Sequence, residues 1–293
     1  MKAMRHILLP MAIAMTAIGT SAQNECYLVL ADNNIVTYKD TEIDYITFLP
    51  ADDAENIIQE IHLKNGNVVS KKFSEFKEMI FNDIITEAET GLVDLGLSVK
   101  WGTHNYGADK SWGYGELVGW GDPSGEHKEQ YHYSNLGAYN SNKNTVLGYY
   151  GGVTPPDEIS GTDLDIAYAK MGTSWRMPTI KEADELKDKC QWQWLKYHDI
   201  EGVRVQGPSG NAIFLPASGR RNGNSVGTNG SYQPGDWGGY WTGTWYGTSD
   251  STNKLKGEMS YSLFFGIAQG GFYKTGGSYR YAGLAIRPVE NKK

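Results

Sequence analysis

Apolar and polar positions follow three different patterns along this chain. Residues 7–20 are almost continuously apolar and sit behind Lys2 and Arg5. Between Tyr27 and Phe81 the apolar residues come in short runs, interrupted by Asp32-Asn33-Asn34 and Asn65-Gly66-Asn67. That pattern predicts strands joined by tight turns, because Asn, Asp and Gly tolerate the positive φ a hairpin turn demands. From residue 91 onward, aromatic and β-branched residues gather in short runs among Gly, Ser and Asn. Strands are predicted at 203–205, 212–215, 240–246, 261–265 and 284–289, with Gly207-Pro-Ser-Gly-Asn211 as a turn between the first two. Two windows have helical spacing instead. Leu164, Ala167, Tyr168 and Met171 follow Thr162, and Ala183, Leu186 and Cys190 follow Thr179. Thr179 and Glu182 stand at the separation of a capping box. Two helices among many short strands and long loops predict an α+β domain of short twisted sheets. The loops 103–160 and 219–238 are long for simple connections and are candidate functional loops.

The β-rich stretch is a repeat. Residues 27–48 align without a gap on 60–81, matching Leu30 to Leu63, Asn34 to Asn67, Glu42 to Glu75 and Phe48 to Phe81. Composition then breaks near residue 90. All nine Trp lie from Trp101 to Trp245, and only Gly19 and Gly66 of the 36 Gly precede residue 91. The expected organisation is a small β-rich module at 23–85 made of two strand-turn-strand repeats, a joint at 83–90 and a second domain at 91–289. Residues 1–22 read as a secretory signal peptide, cleaved after Thr20-Ser21-Ala22. The apolar stretch is short for a membrane anchor, and no other stretch is long and apolar enough for a span. The expected destination is the periplasm, the cell surface or the medium.

Formal charge is −7 at neutral pH. Nucleic acid is therefore not an expected partner, since phosphate binding needs a basic surface. Two cysteines, Cys26 and Cys190, cannot build a disulfide framework. Stability must come from buried cores.

Several motifs carry a family resemblance. Val93-Asp-Leu-Gly-Leu-Ser-Val-Lys-Trp101 comes first, then Asn105-Tyr-Gly-Ala108 and Gly172-Thr-Ser-Trp-Arg-Met-Pro-Thr179. Asn211-Ala-Ile-Phe-Leu-Pro-Ala217, Gly239-Tyr-Trp-Thr242 and Leu284-Ala-Ile-Arg-Pro-Val289 follow. In this order they resemble the Fibrobacter succinogenes major paralogous domain, a family of exported Bacteroidetes-type proteins. The first module resembles the short strand-turn-strand units that often precede such domains. The resemblance implies a C-type lectin-like fold in which the last strand lies beside the first. It also implies a variable face on the loops before Leu284, where related domains bind sugars or proteins. Trp101, Trp175, Arg176, Trp241 and Arg287 are expected to be structural. Trp175 is expected to plug the core and Arg176 to pair with a carboxylate or with carbonyls.

Sugar recognition needs aromatic faces beside polar groups. The candidate ligand-binding residues are Tyr232, Asp236, Trp237, Tyr273, Tyr279 and Arg280, on Gly-rich stretches that hold aromatics at low entropy cost. Trp241 and Trp245 share one strand face by alternation, so they are buried or exposed together. Gln233-Pro234-Gly235-Asp236 is only superficially like a calcium-lectin triplet, because Gly235 interrupts it and no Trp-Asn-Asp follows. Asp163 with Asp165, or Asp122 with Glu126, read as caps or solvated loops before they read as an ion site. The cluster Glu126-His127-Lys-Glu129-Gln-Tyr-His132 lacks the spacing of a helical zinc site. Enzymes on the implied fold depend on a pair of active-site cysteines or on clustered histidines, whereas the second domain holds one cysteine, Cys190, and its His104, His127, His132 and His198 are scattered, and no nucleophile signature stands out. The expectation is a noncatalytic protein without metal or cofactor that binds an extracellular glycan or protein. The alternative is a structural or assembly component of the cell envelope, and an enzyme of the formylglycine-generating type is a more distant third.

Overall fold

A computed structural model describes residues 25–39, 42–49, 57–80, 85–126, 156–223, 225–227, 231–246, 259–267, 272–280 and 282–292. The predicted signal peptide and the His127 to His132 part of the histidine cluster lie outside these residues. The chain divides into two compact units, residues 1–84 and 85–293. Among the described residues, no helix is long and apolar enough to cross a membrane.

The first unit holds β1 (Glu25–Leu30), β2 (Ile35–Lys39), β3 (Ile43–Leu49), β4 (Ile58–Leu63), β5 (Val68–Lys72) and β6 (Phe76–Ile80). Both repeats thus read strand, turn, strand, strand. Their turns match bond for bond. Leu30 N–H donates to Asn34 O and Leu63 N–H to Asn67 O, each at 2.8 Å. Asn33 and Gly66, at equivalent positions, hold positive φ of 69° and 87°. The third strands do not stay with their own repeats. The sheet orders are β2-β1-β6 and β3-β4-β5, so each repeat lends its last strand to the hairpin of the other. Ala31 N–H donates to Glu75 O and Lys64 N–H to Glu42 O, both at 2.9 Å, repeating the exchange in both directions. Cys26, Leu28, Ile43, Ile46 and Ile61 form the shared core.

The second unit carries β7 (Leu92–Val93), β8 (Trp101–Gly102), helix α1 (Ile166–Met171), β9 (Trp175–Arg176) and helix α2 (Ile180–Lys189). The strands β10 (Gln191–Tyr197), β11 (Ile200–Gln206), β12 (Ala212–Pro216), β13 (Arg221–Asn222) and β14 (Ser225–Val226) follow. The unit ends with β15 (Trp237–Trp245), β16 (Met259–Gly266), β17 (Phe272–Tyr279) and β18 (Val289–Glu290). The sheets run β7-β8-β18-β9, β10-β11-β12, β13-β14 and β15-β16-β17. Val289 pairs with both Trp101 and Arg176, so the end of the chain closes on the start of this unit.

The described residues are mostly β, 45% of them strand and 10% helix, and the expected α+β, C-type lectin-like fold class is corrected accordingly. Two stretches account for much of the difference. Residues 191–197, just past the second helix, are a strand, joined to β11 through His198 and Asp199 at φ 49° and 62°. That two-residue turn carries no Gly or Asn to announce it. Residues 272–279, which look like a Gly-rich loop, form a strand paired along its whole length with β16. A Cβ at Gly277 would come within 3.1 Å of Met259 Sδ and the Tyr246 ring, so the glycine sits in a tightly packed part of that strand.

Strand β15 separates two cores. Tyr240 enters a cluster with Leu186 of α2, Val203, Leu215, Leu263 and Phe265. Trp241, its neighbour, enters another with Val118, Trp120, Ile166, Met177 and Leu284. Alternation along one strand explains the division. Residues 85–88, expected within a joint, belong to the second unit: Ile85 is buried, and Thr86 N–H donates to Ala212 O at 2.7 Å.

Candidate functional site

The sequence motif before α2 is a set of interlocking caps. Thr179 Oγ1 accepts from Glu182 N–H at 3.3 Å, and Glu182 Oε2 accepts from Thr179 N–H at 2.8 Å. Arg176 meets the same carboxylate with both terminal nitrogens, at 2.8 Å and 2.5 Å, and also donates to Met177 O. Burial pushes the Glu182 carboxyl up, but the bonds from Arg176 and Thr179 outweigh it and hold the group below its usual range. Trp175 does not plug the core. It is half-buried against Gly91, while Met177 is the motif residue that enters the core.

The other framework positions are deeply buried. Trp101 and Trp241 are among the largest fully buried side chains, and Trp241 Nε1 donates to Val118 O at 2.8 Å. Trp245 packs half-buried against the same core as Trp241. Arg287 is 1% exposed and donates to Asn105 Oδ1, Gly102 O, Thr103 O and Phe214 O. Burial pulls its pKa down to about 10. Asp165, weighed earlier as an ion ligand, caps α1 and gives all its acceptor capacity to backbone. Oδ1 accepts from Ala167 and Tyr168, and Oδ2 from Gly161 and Met177.

The six candidate ligand residues divide between places. Trp237 shares a face of β15 with Gly239 and Trp241, opposite Gly266, Phe264 and Ser262. Tyr273 lies opposite Phe265, on the other face of the same sheet. Its ring leans on Trp192 at 4.8 Å, and its hydroxyl donates to Trp192 O. Tyr279 shares the Tyr273 face from the far end of β17, half-buried. Arg280 is 2% exposed, with its guanidinium 5.9 Å from the Trp120 ring centre, so it is packed inside rather than displayed on a loop. The candidate aromatics therefore do not form a single patch: strand alternation sends Trp237 and Tyr273 to opposite faces of one sheet.

What remains together is Tyr232, Asp236 and Trp237. Tyr232 is 38% exposed at a positive φ of 56°, and Trp237 meets it edge-on at 5.0 Å. The Trp237 ring lies across Gly239, where a Cβ would come within 2.2 Å of it, and stacks toward Phe264 at 6.3 Å. Asp236 is exposed at the turn entering β15, and its carbonyl accepts from Ile267 N–H. The segment is tied down by Gly219 N–H donating to Trp237 O and Arg220 N–H donating to Tyr232 O. Arg220 was not singled out from the sequence. Its guanidinium lies 3.9 Å from the centre of the Tyr232 ring. The adjacent basic pair Arg220-Arg221, next to a Gly-rich aromatic stretch, was the available signal.

Elsewhere, a cavity of about 410 Å³ is lined by Tyr106, Glu116, Ser124 and Lys170, and none of the six candidates reaches it. Among the described residues, no group of three or more His, Cys, Asp or Glu gathers as a metal site. Comparison with family models, curated proteins and solved structures gives no match to this chain.

Proposed function

We propose that this is an exported, noncatalytic recognition protein that binds an extracellular ligand, a glycan before a protein, through Tyr232, Trp237 and Asp236. The observation that carries the reading is the exposed Tyr232 ring, held at a positive φ by backbone bonds, with Trp237 edge-on to it and Arg220 against its face. Rigid aromatics beside polar groups suit a sugar's apolar faces and hydroxyls. The motifs that resemble, in their order, those of the Fibrobacter succinogenes major paralogous domain are in keeping with the same reading. Glycan-array and pull-down screens of the purified protein test it. Tyr232→Ala and Trp237→Ala are expected to abolish capture, with the second unit still folded. Unchanged capture, or a loss that only follows unfolding, would sink the assignment.

A second reading, a cell-envelope assembly component, draws on the first unit. Tyr45, His62 and Val68 form one cross-strand row of β3-β4-β5. Tyr45 and Val68 are each 47% exposed, and Tyr45 stacks on His62 at 4.2 Å. Tyr45→Glu with Val68→Glu is expected to release the protein from such an assembly without touching ligand capture, and co-purification of envelope fractions reads the outcome.

A further inference from the structure

Two hairpins of the first unit accept the same kind of strand in the same register. Strand β3 meets β4 through Ile43↔Leu63, Tyr45↔His62, Ile46↔Ile61 and Thr47↔Glu60. Strand β6 meets β1 through Phe76↔Leu30, Glu78↔Val29, Met79↔Leu28 and Ile80↔Tyr27. Each pair of the second ladder is the counterpart of one in the first at the offset of the sequence repeat. Both ladders also skip one residue at the same place, Asp44 in β3 and Lys77 in β6. The two strands are therefore interchangeable in kind.

The ladders differ in how they are closed. Strand β3 runs on into β4 along the chain, so its ladder is a local hairpin that continues through Phe48↔Gln59 and Leu49↔Ile58. Strand β6 returns to β1 from the other end of the unit, and it lies at the edge of the sheet β2-β1-β6. Closing a long stretch of chain costs more entropy than closing a hairpin. The place of β6 is thus the one held least by its own chain. Without β6, β1 would present an open row of backbone donors and acceptors, the template on which another strand adds.

We propose that the hairpin β1-β2 is an acceptor for β6 of a second copy of this chain, and that two copies exchange β6 reciprocally. The exchange breaks and remakes the same backbone bonds. Its equilibrium is then set by protein concentration against the effective concentration that the chain supplies to its own strand. Reciprocal exchange leaves neither acceptor empty, so the assembly closes at two copies. The short helical turn Phe73–Glu75, between β5 and β6, is the hinge that redirects the strand. This deepens the assembly reading, does not depend on ligand recognition by the second unit, and uses a contact other than the Tyr45–His62–Val68 row.

The test uses the full chain in a Cys190→Ser background. Val29→Cys with Glu78→Cys puts two thiols opposite each other on the β1–β6 ladder. Tyr45→Cys with His62→Cys puts the equivalent pair on β3–β4. Facing residues of an antiparallel ladder lie within disulfide reach, and Cys26 sits on the other face of β1 from Val29. After equilibration at high protein concentration and mild oxidation, nonreducing electrophoresis is expected to show a band of double mass for the first pair and single mass alone for the second. The wild-type chain is expected to show a double-mass species in size-exclusion chromatography with light scattering. While that species is minor, its share is expected to rise about tenfold for a tenfold rise in concentration, by mass action. Single-mass bands for both pairs overturn the exchange, and so do double-mass bands for both, because β3–β4 stays within one chain. A wild-type chain that is monomeric at every concentration overturns it even where a cysteine variant fails to fold. A wild-type dimer in which the Val29→Cys, Glu78→Cys link stays within single chains overturns the exchange and leaves the Tyr45 row as the contact, so this proposal and the assembly reading fail separately.

Discussion

Replacing Asp165 by Asn keeps the shape of the side chain and removes one thing, the ability of both its oxygens to accept. In the native protein Oδ2 takes Gly161 N–H at 2.9 Å and Met177 N–H at 2.7 Å, while Oδ1 takes Ala167 N–H at 2.9 Å and Tyr168 N–H at 3.3 Å. The residue has 0% exposure, so water cannot substitute. An Asn must aim its amide group at one of these donor pairs. Flipping it only changes which pair is lost: the link between residue 161 and the Met177 motif, or the cap of α1. Two buried N–H groups left unmade cost about 2–6 kcal/mol, centred near 4. For a unit of this size each kcal/mol moves the midpoint by about 2–4 °C, so a fall of roughly 8–16 °C is expected. Tryptophan fluorescence during heating is the assay, because all nine Trp lie from Trp101 to Trp245 and report the second unit alone. A change under about 1 kcal/mol would refute the reasoning, since it falls below the cost of even two unmade bonds. Added calcium or EDTA is expected to leave the wild-type midpoint in place, because the carboxylate's acceptor directions are already taken by backbone. A calcium-dependent rise would refute that part.

Glu182→Gln removes the carboxylate that Arg176 and Thr179 share. The folded pKa of Glu182 is lowered, so its contribution is present above the ordinary glutamate value and lost as pH falls through the folded one. Urea midpoints between pH 7 and pH 3 are expected to show the gap between wild type and Glu182→Gln closing as pH drops, and a constant gap would contradict the linkage. Gly207→Ala places a Cβ about 2.1 Å from Leu95 O, whereas Gly210→Ala meets no atom within 4 Å and strains only a φ of 89°. The first is expected to cost about 3 kcal/mol and the second about 1–2 kcal/mol. Equal costs in denaturant titrations would mean that the Leu95 backbone yields more readily than the packing suggests.

Much of the local structure was legible in the sequence. The capping box at Thr179 and Glu182, the matched turns of the repeat and the strands around 203–205, 212–215 and 261–265 each depend on residues close in sequence. Their chemistry is written in the spacing itself. Misreadings arose where a distant partner decides. Residues 272–279 have the composition of a loop, and they are extended because β16 offers a full edge to pair with. Residues 191–197 follow a helix so closely that their Cys190 neighbour fits the helical spacing, but β11 draws them into a sheet. Of the candidate site, Tyr232, Asp236 and Trp237 were visible as aromatic and acidic residues on a Gly-rich stretch. Arg220 was not, because nothing along the chain says which arginines will find a carboxylate.

By itself the sequence determined the repeat, the division into two units, the turn geometry at Asn33 and Gly66, and the cap that starts α2. Each follows from the φ preferences and side-chain reach of a few consecutive residues. Only the tertiary structure decided that each repeat lends its last strand to the other, that Trp237 and Tyr273 occupy opposite faces of one sheet, and that Arg280 lies inside while Tyr232 stands out. Alternation fixes that a strand has two faces. Which of them is covered, and by what, depends on burial and hydrogen bonding between segments far apart in the chain.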